Sequence, residues 1–299
     1  MIIKVDVPDE IAQAIAQGYG RERLATEFNL SDRKAGYYVQ AISEGIRSNP
    51  FLKTALVLAD FHCPYHDDAA VKVALDFGAI IKPNLVVILG DFVDFYQISS
   101  WSRDPKKRPF DEEVLQSRKL LEDISNRFSK SEKVFIKGNH EDRLRRYLWN
   151  RAPELEQLKR IGIKSLDIPD ILNLQELGWE YIDTLDNLLN AEQTFTIGNL
   201  HLIHGHEVRI SSGAVNLARL YYLKTFVNIM AAHHHQVQEY IVRRLDQSHE
   251  GGWTIGCLCN LSPEYAPVNN WVHGFGIVKY DPDGDFYVKA HKIINGKVL

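Results

Sequence analysis

Only three cysteines occur in 299 residues, an odd number that suits neither a disulfide framework nor a cysteine-built metal clip. Two of them, Cys257 and Cys259, alternate within Trp253 to Leu261, a stretch that reads as a strand. No run approaches the roughly 18 apolar residues of a membrane-spanning helix, so no membrane partner is expected. Met1-Ile2-Ile3-Lys4-Val5-Asp6 lacks a basic stretch followed by an apolar one, so the expected location is cytoplasmic. Positive charge is not in surplus either: 35 Lys and Arg face 39 Asp and Glu, a net charge of −4, and no broad basic face dominates. Repeats and low-complexity tracts are missing as well. The 45% hydrophobic content is enough for one substantial core and a small appended unit.

What is there is an ordered series of metal-ligand residue types in five segments. Ala59-Asp60-Phe61-His62, Gly90-Asp91-Phe92-Val93-Asp94, Gly138-Asn139-His140-Glu141, His204-Gly205-His206 and His233-His234-His235 each follow an apolar run that reads as a buried strand. Residues presented from several strand ends converge on one place. Carboxylate, imidazole and amide donors together suit borderline divalent ions, and the set is large enough for two. Two metals roughly 3.5–4 Å apart can hold a bridging hydroxide and clamp a phosphoryl oxygen, which makes phosphate ester hydrolysis the leading chemistry.

The series resembles the calcineurin-like metallophosphoesterases, whose blocks run D-x-H, G-D-x-x-D, G-N-H-[DE], H and G-H-x-H. Four blocks match, and the fifth has Ala232 where the family has Gly. A Gly there would allow positive φ, so Ala232 bears on the local turn. The resemblance covers roughly Phe51 to Leu299. It implies an α/β fold of mixed sheets, the four-layer αββα sandwich, with the site at one edge. By position it implies that Asp60, His62 and His235 hold one metal, that Asn139, His204 and His233 hold the other, and that Asp91 bridges them. His140 becomes the catalytic histidine. Asp94 is expected to bond to it and favour its protonated form. Asn139, Arg143 and His206 are the candidate substrate-facing residues. Manganese is the expected metal, with iron, nickel and zinc open. His234 is left for an outer position, and Cys63 for packing rather than soft ligation.

Residues 1–49 lie outside this pattern and read as a separate helical unit, with 50–299 as the catalytic domain. Helices are expected over Ile11 to Gln17 and Arg21 to Phe28, then a turn at Asn29-Leu30, then a helix capped by Ser31 and running towards Gly45. This is a candidate helix-turn-helix, with Arg33, Lys34, Tyr37, Tyr38 and Gln40 available to a groove or to phosphates. The alternative is a helical cap that packs on the catalytic domain or supports a homo-oligomer. Ser48-Asn49-Pro50 reads as the joint. Between Tyr96 and Phe110, Trp101, Arg103, Lys106, Lys107 and Arg108 form either a polyanion contact or an ordinary charged loop. Among Arg143, Arg145, Arg146 and Arg151, helical spacing puts Arg143 and Arg146 on one face.

Three functions stay open at this point. The first is a phosphodiesterase or nuclease acting on DNA or RNA. The second is a phosphomonoesterase on nucleotides or phosphoproteins, its helices used for assembly. The third is a nucleic-acid-binding module with a silent metal site.

Overall fold

The computed structural model describes residues 7–43, 53–100, 104, 109–161, 166–183, 194–210, 214–282 and 284–299. The expected joint Ser48-Asn49-Pro50, the helix end towards Gly45, the side chain of Gln40, and Trp101, Arg103, Lys106, Lys107 and Arg108 lie outside them. Two compact units form, Met1–Leu52 and Lys53–Leu299.

In the first unit, α1 (Asp9–Ala16), α2 (Arg21–Glu27) and α3 (Asp32–Ser43) enclose their own core of Val7, Ile11, Ala14, Leu24, Ala35 and Tyr38. Asn29 turns the chain with φ +48°, a conformation Asn tolerates better than most residues. Ser31 Oγ then accepts from Lys34 N at 3.3 Å and caps α3. Tyr38 departs from the groove-facing expectation: three residues after Ala35 it shares the buried face and joins the core, while Arg33, Lys34 and Tyr37 stay exposed.

The second unit is built on two sheets. β1 (Lys53–Leu58), β2 (Leu85–Leu89), β3 (Glu132–Ile136) and β4 (Glu180–Ile182) run parallel, with α4 (Asp68–Ile81), α5 (Phe110–Arg127), α6 (Asn139–Arg151) and the short α7 (Pro153–Gln157) and α8 (Ile168–Ile171) between them. Asp67 caps α4 by accepting from Ala70 N at 2.8 Å. The second sheet holds β5 (Phe195–Ile197), β6 (Leu200–Leu202), β7 (Ile229–Ala231), β8 (Gln238–Arg243) and β9 (His249–Thr254) in the order β5-β6-β7-β9-β8, and α9 (Leu217–Thr225) lies between β6 and β7 in sequence. β10 (Gly274–Tyr280), β11 (Phe286–Ile294) and β12 (Lys297–Val298) return to the first sheet, whose order is β12-β11-β10-β1-β2-β3-β4.

Strand alternation builds the layers. Leu56, Leu58, Val86, Ile88 and Phe135 meet Ala74, Leu75, Leu121, Ile124, Leu144 and Leu148 of α4, α5 and α6. Ala55, Val57, Val87, Leu89 and Val134 point the other way, against Leu200, Leu202, Met230 and Trp253 of the second sheet. Beyond that sheet, Leu217 and Tyr221 of α9 pack with Ile229 and Ala231. The result is helix, sheet, sheet, helix, with the central strands buried on both faces as parallel strands require. Burying one side chain such as Phe135 contributes roughly 2–3 kcal/mol, so these two layers carry much of the stability. No helix among the described residues is long and apolar enough to cross a membrane.

One expected strand is shorter than its sequence suggests. β9 ends at Thr254 because both partners run out there: Ala231 is the last pair on β7 and Gln238 the last on β8. Cys257 and Cys259 therefore lie beyond the strand, each in an isolated bridge, to His273 and His66 respectively.

Candidate active site

All five segments singled out above follow the carboxyl ends of β1, β2, β3, β6 and β7, four in loops and Asn139-His140-Glu141 in the first turn of α6. Asp60, His62, Asp91, His233 and His235 adopt φ between +48° and +67°. Left-handed backbone at non-glycine residues is concentrated here, where tight turns aim side chains inward. Ala232 is not among them, so the turn needs positive φ one residue later, at His233, and the family's Gly is dispensable. Gly90 and Gly138 are not. A Cβ at Gly90 would come 2.5 Å from His204 Nδ1, and one at Gly138 would overlap Asp91.

Two groups of donors result. Asp60 Oδ1 lies 3.3 Å from His235 Nε2 and 4.0 Å from His62 Nε2, and those two nitrogens are 3.3 Å apart. Asn139 Oδ1 lies 3.2 Å from His204 Nε2, and His233 packs edge-on against His204 with ring centroids 5.2 Å apart. Asp91 Oδ2 stands between the groups, 3.2 Å from His204 Nε2 and 3.9 Å from His62 Nε2. Asp91, His204 and His233 offer ligand atoms within 4.8 Å of one another.

These residues fit divalent cations. Asp60 Oδ1 is buried without a hydrogen-bond donor, and His62 and His235 aim ring nitrogens at each other. Burial pulls the His204 ring down, yet the charge and hydrogen bond of Asp91 carry it up to about 10. Burial likewise opposes charge on His235, and Asp60 carries it up to about 9. Each buried carboxylate is drawing a proton onto its neighbour, a demand for positive charge that a cation meets. His233, half-buried beside His204, is held down at about 3, first by burial, and offers a neutral ring.

Around the donors, outer contacts hold orientation. His204 Nδ1 donates to Leu89 O at 2.8 Å, and His62 Nδ1 to Asp94 Oδ1 at 3.1 Å. The same Asp94 oxygen is 3.1 Å from His140 Nδ1, so Asp94 joins a candidate ligand to the candidate catalytic ring. Arg143 Nη1 donates to Asp94 O at 2.7 Å, and Nη2 lies 2.8 Å from His140 Nε2. His140 then donates from Nδ1 and accepts at Nε2.

Arg145 and Arg146 are engaged elsewhere, each 2.5 Å from Asp142, and Asp142 also faces the buried Lys137. His206 lies against His204 and His233, its ring nitrogens without hydrogen-bond partners and Glu207 Oε2 3.4 Å from Nδ1. His234 faces Tyr221 Oη at 3.0 Å. Burial pushes the Cys63 thiol up to about 12, which keeps it a protonated packing group.

Sequence reasoning gave no role to Glu141. Its Oε2 accepts from Asp91 N at 2.9 Å and Gly138 N at 2.8 Å, and its Oε1 from Phe92 N at 2.8 Å and Val93 N at 3.1 Å. One buried carboxylate thereby clasps the loop after β2 to the start of α6. The motif's acidic fourth position was the available signal.

Glu113 on α5 was also missed. Its Oε1 accepts from Tyr96 N at 3.3 Å and its Oε2 has no hydrogen-bond partner; burial, and then the charge of Asp94, push the carboxyl up to about 7. The fold holds this proton between about pH 4.5 and 7 while the unfolded chain releases it, so Glu113 lowers stability progressively as pH rises through that window. Glu113→Gln keeps the acceptor for Tyr96 and removes the titration. Its stability gain over wild type should grow from near zero at pH 4.5 to on the order of 3 kcal/mol above pH 7, read by denaturant unfolding at a series of pH values. A gain that does not vary with pH would contradict this.

Oxygen and imidazole donors gathered at the strand ends of a two-sheet α/β sandwich define a metal-dependent hydrolase. Residues 53–276 match the calcineurin-like phosphoesterases, and the chain belongs to that family, whose members use a dinuclear metal site to hydrolyse phosphate esters. A relative 22% identical over 246 residues is the gene 54 protein of Mycobacterium phage L5, aligned over 77% of this chain and 89% of its own length. Among solved structures, wild-type Vps29 of Entamoeba histolytica complexed with zinc is 16% identical, with a TM-score of 0.43 over 82% of this chain and 96% of that one. The nuclease MPE of Pseudomonas putida is 14% identical, with a TM-score of 0.35 over 79% of this chain and 87% of that one.

Proposed function

We propose that the chain is a phosphodiesterase or nuclease acting on nucleic acid, DNA or RNA, with two divalent cations, manganese first among them. The observation that carries the choice of substrate is the exposed face of α3. Arg33, Lys34 and Tyr37 project from the second helix of a helix-turn-helix-like unit that has its own core, with the Arg33 guanidinium 5.8 Å from the Tyr37 ring centre. Basic and aromatic side chains on such a helix suit phosphates and bases.

In this reading Asp60, His62 and His235 would hold one cation, Asn139, His204 and His233 the other, with Asp91 between. The pair would supply Lewis-acid stabilisation of phosphoryl charge and a nucleophile at neutral pH. Asp94 fixes His140 so that Nε2 lies 3.7 Å from Asp91 Oδ2, at the centre of the donor cluster. Arg143 occupies that nitrogen until a phosphate offers its guanidinium a charged acceptor. Its move onto the phosphate frees Nε2 to take up a proton from solvent and pass it to the leaving oxygen. His206 presents an unpartnered ring nitrogen beside His204 for a further substrate contact.

The test is manganese-dependent cleavage of end-labelled DNA and RNA beside a small phosphodiester and a small phosphomonoester, with wild type and an Arg33→Glu/Lys34→Glu variant. The variant should bind nucleic acid more weakly, with a salt dependence reduced by about two phosphate contacts, and turn over the small diester normally. Nucleic-acid cleavage unchanged in the variant would make the helices an assembly element. Turnover of the monoester alone would favour the phosphomonoesterase, a reading that the net charge of −4 keeps in view.

A further inference from the structure

We propose that Cys259 is a positioning residue of the metal site, its sulfur accepting the hydrogen bond that orients His235. This rests on the reading of His235 as a ligand. Each of the other oriented histidines has an acceptor behind it: Leu89 O for His204 and Asp94 Oδ1 for His62. For His235 the acceptor is Cys259 Sγ, 3.9 Å from Nδ1, within the reach of an N–H to sulfur bond. Nδ1 thus faces sulfur while Nε2 faces Asp60 and His62, which assigns the two nitrogens to outer and inner roles.

The sulfur is held in register with the ligands it serves. Leu258 N donates to Asp60 O at 3.1 Å, and Asn260 N donates to Tyr65 O at 2.8 Å, tying both neighbours of Cys259 to the loop after β1. His273 Nε2 donates to Cys259 O at 2.8 Å from the other side. Trp271 packs edge-on against the His235 ring with centroids 4.1 Å apart, and Cys259 is only 3% exposed, so water does not compete for Nδ1. A weak, polarisable acceptor in a dry place orients the ring without drawing its proton as a carboxylate would. Cys259 thereby gives the group of Asp60, His62 and His235 a softer environment than that of His204, which rests on a carbonyl.

The experiment measures metal content and affinity by competition with a chelator, using manganese, zinc and cobalt alone on the full chain, for wild type, Cys259→Ser and Cys259→Ala. Cys259→Ala should weaken one of two bound cations 10–100-fold and leave the other unchanged, and Cys259→Ser, which keeps an acceptor, should recover part of the loss. The cobalt spectrum of wild type should lack a sulfur-to-metal charge-transfer band. Wild-type affinities for both cations in Cys259→Ala would overturn the inference, and so would such a band, which would make the sulfur a ligand. Fewer than two cations in wild type itself would instead overturn the ligand assignment beneath it.

Discussion

Asp91→Asn should lose both cations at working concentrations and reduce turnover of any phosphate ester by more than the 10²–10⁴-fold expected of removing an acid or base. The substitution is close to isosteric. Asp91 Oδ1 accepts from His140 N at 2.8 Å, and an asparagine oxygen can keep that bond, so the start of α6 stays in place. What disappears is the charge on Oδ2, which stands 3.2 Å from His204 Nε2 and 3.9 Å from His62 Nε2 and so belongs to both donor groups. Changing Asn139 or His235 touches one group; changing Asp91 touches two. An amide nitrogen turned towards these rings would add a donor where acceptors are needed. Metal analysis of the purified variant, with turnover of a small diester, checks both halves. Two retained cations and turnover within tenfold of wild type would remove Asp91 from its central place.

The parts of this molecule that were legible in the sequence are those set by local pattern. The apolar runs ahead of the five motifs and the cap at Ser31 each act within a few positions, while the sandwich was implied by the resemblance that the motifs carry. The ordered motifs named residues that the fold gathers into one cluster, because a strand end aims whatever follows it towards the same edge. Contacts that join segments distant in sequence were not legible. Glu141 meets amides some 50 positions away, Asp94 serves His62 as well as His140, and Glu113 reaches Tyr96 from another helix. Cys259 was concealed by a continuous apolar pattern, since only the end of the β7 and β8 ladders shows why β9 stops short of it. Tyr38 was misplaced because a helix of this length leaves two faces open to a reading by charge and aromatics, and the core of Leu24 and Ala35 chooses between them.

His140→Ala should lower turnover 10²–10⁴-fold while leaving both cations bound, and the loss should depend on the leaving group. His140 contributes its backbone N–H to Asp91, which alanine preserves, and its ring is in the cluster without being needed to complete either donor group. Removing the ring therefore isolates its chemistry. Its Nδ1 is committed to Asp94, at 2.9 Å from the carbonyl and 3.1 Å from the carboxylate, so Nε2 is the working nitrogen. If that nitrogen, once freed from Arg143 and protonated by solvent, delivers the proton to the departing oxygen, a nucleotide alkoxide, a poor leaving group, suffers the full loss. A nitrophenolate leaves without a proton and should be nearly indifferent to the substitution. If the ring instead stabilises charge on the phosphoryl oxygens, both esters should slow alike. Asp94→Asn completes the comparison: the ring stays but its orientation is loosened, so the same leaving-group dependence should appear in weaker form. Equal turnover of wild type and His140→Ala on the nucleotide ester would leave the ring without a part in the reaction.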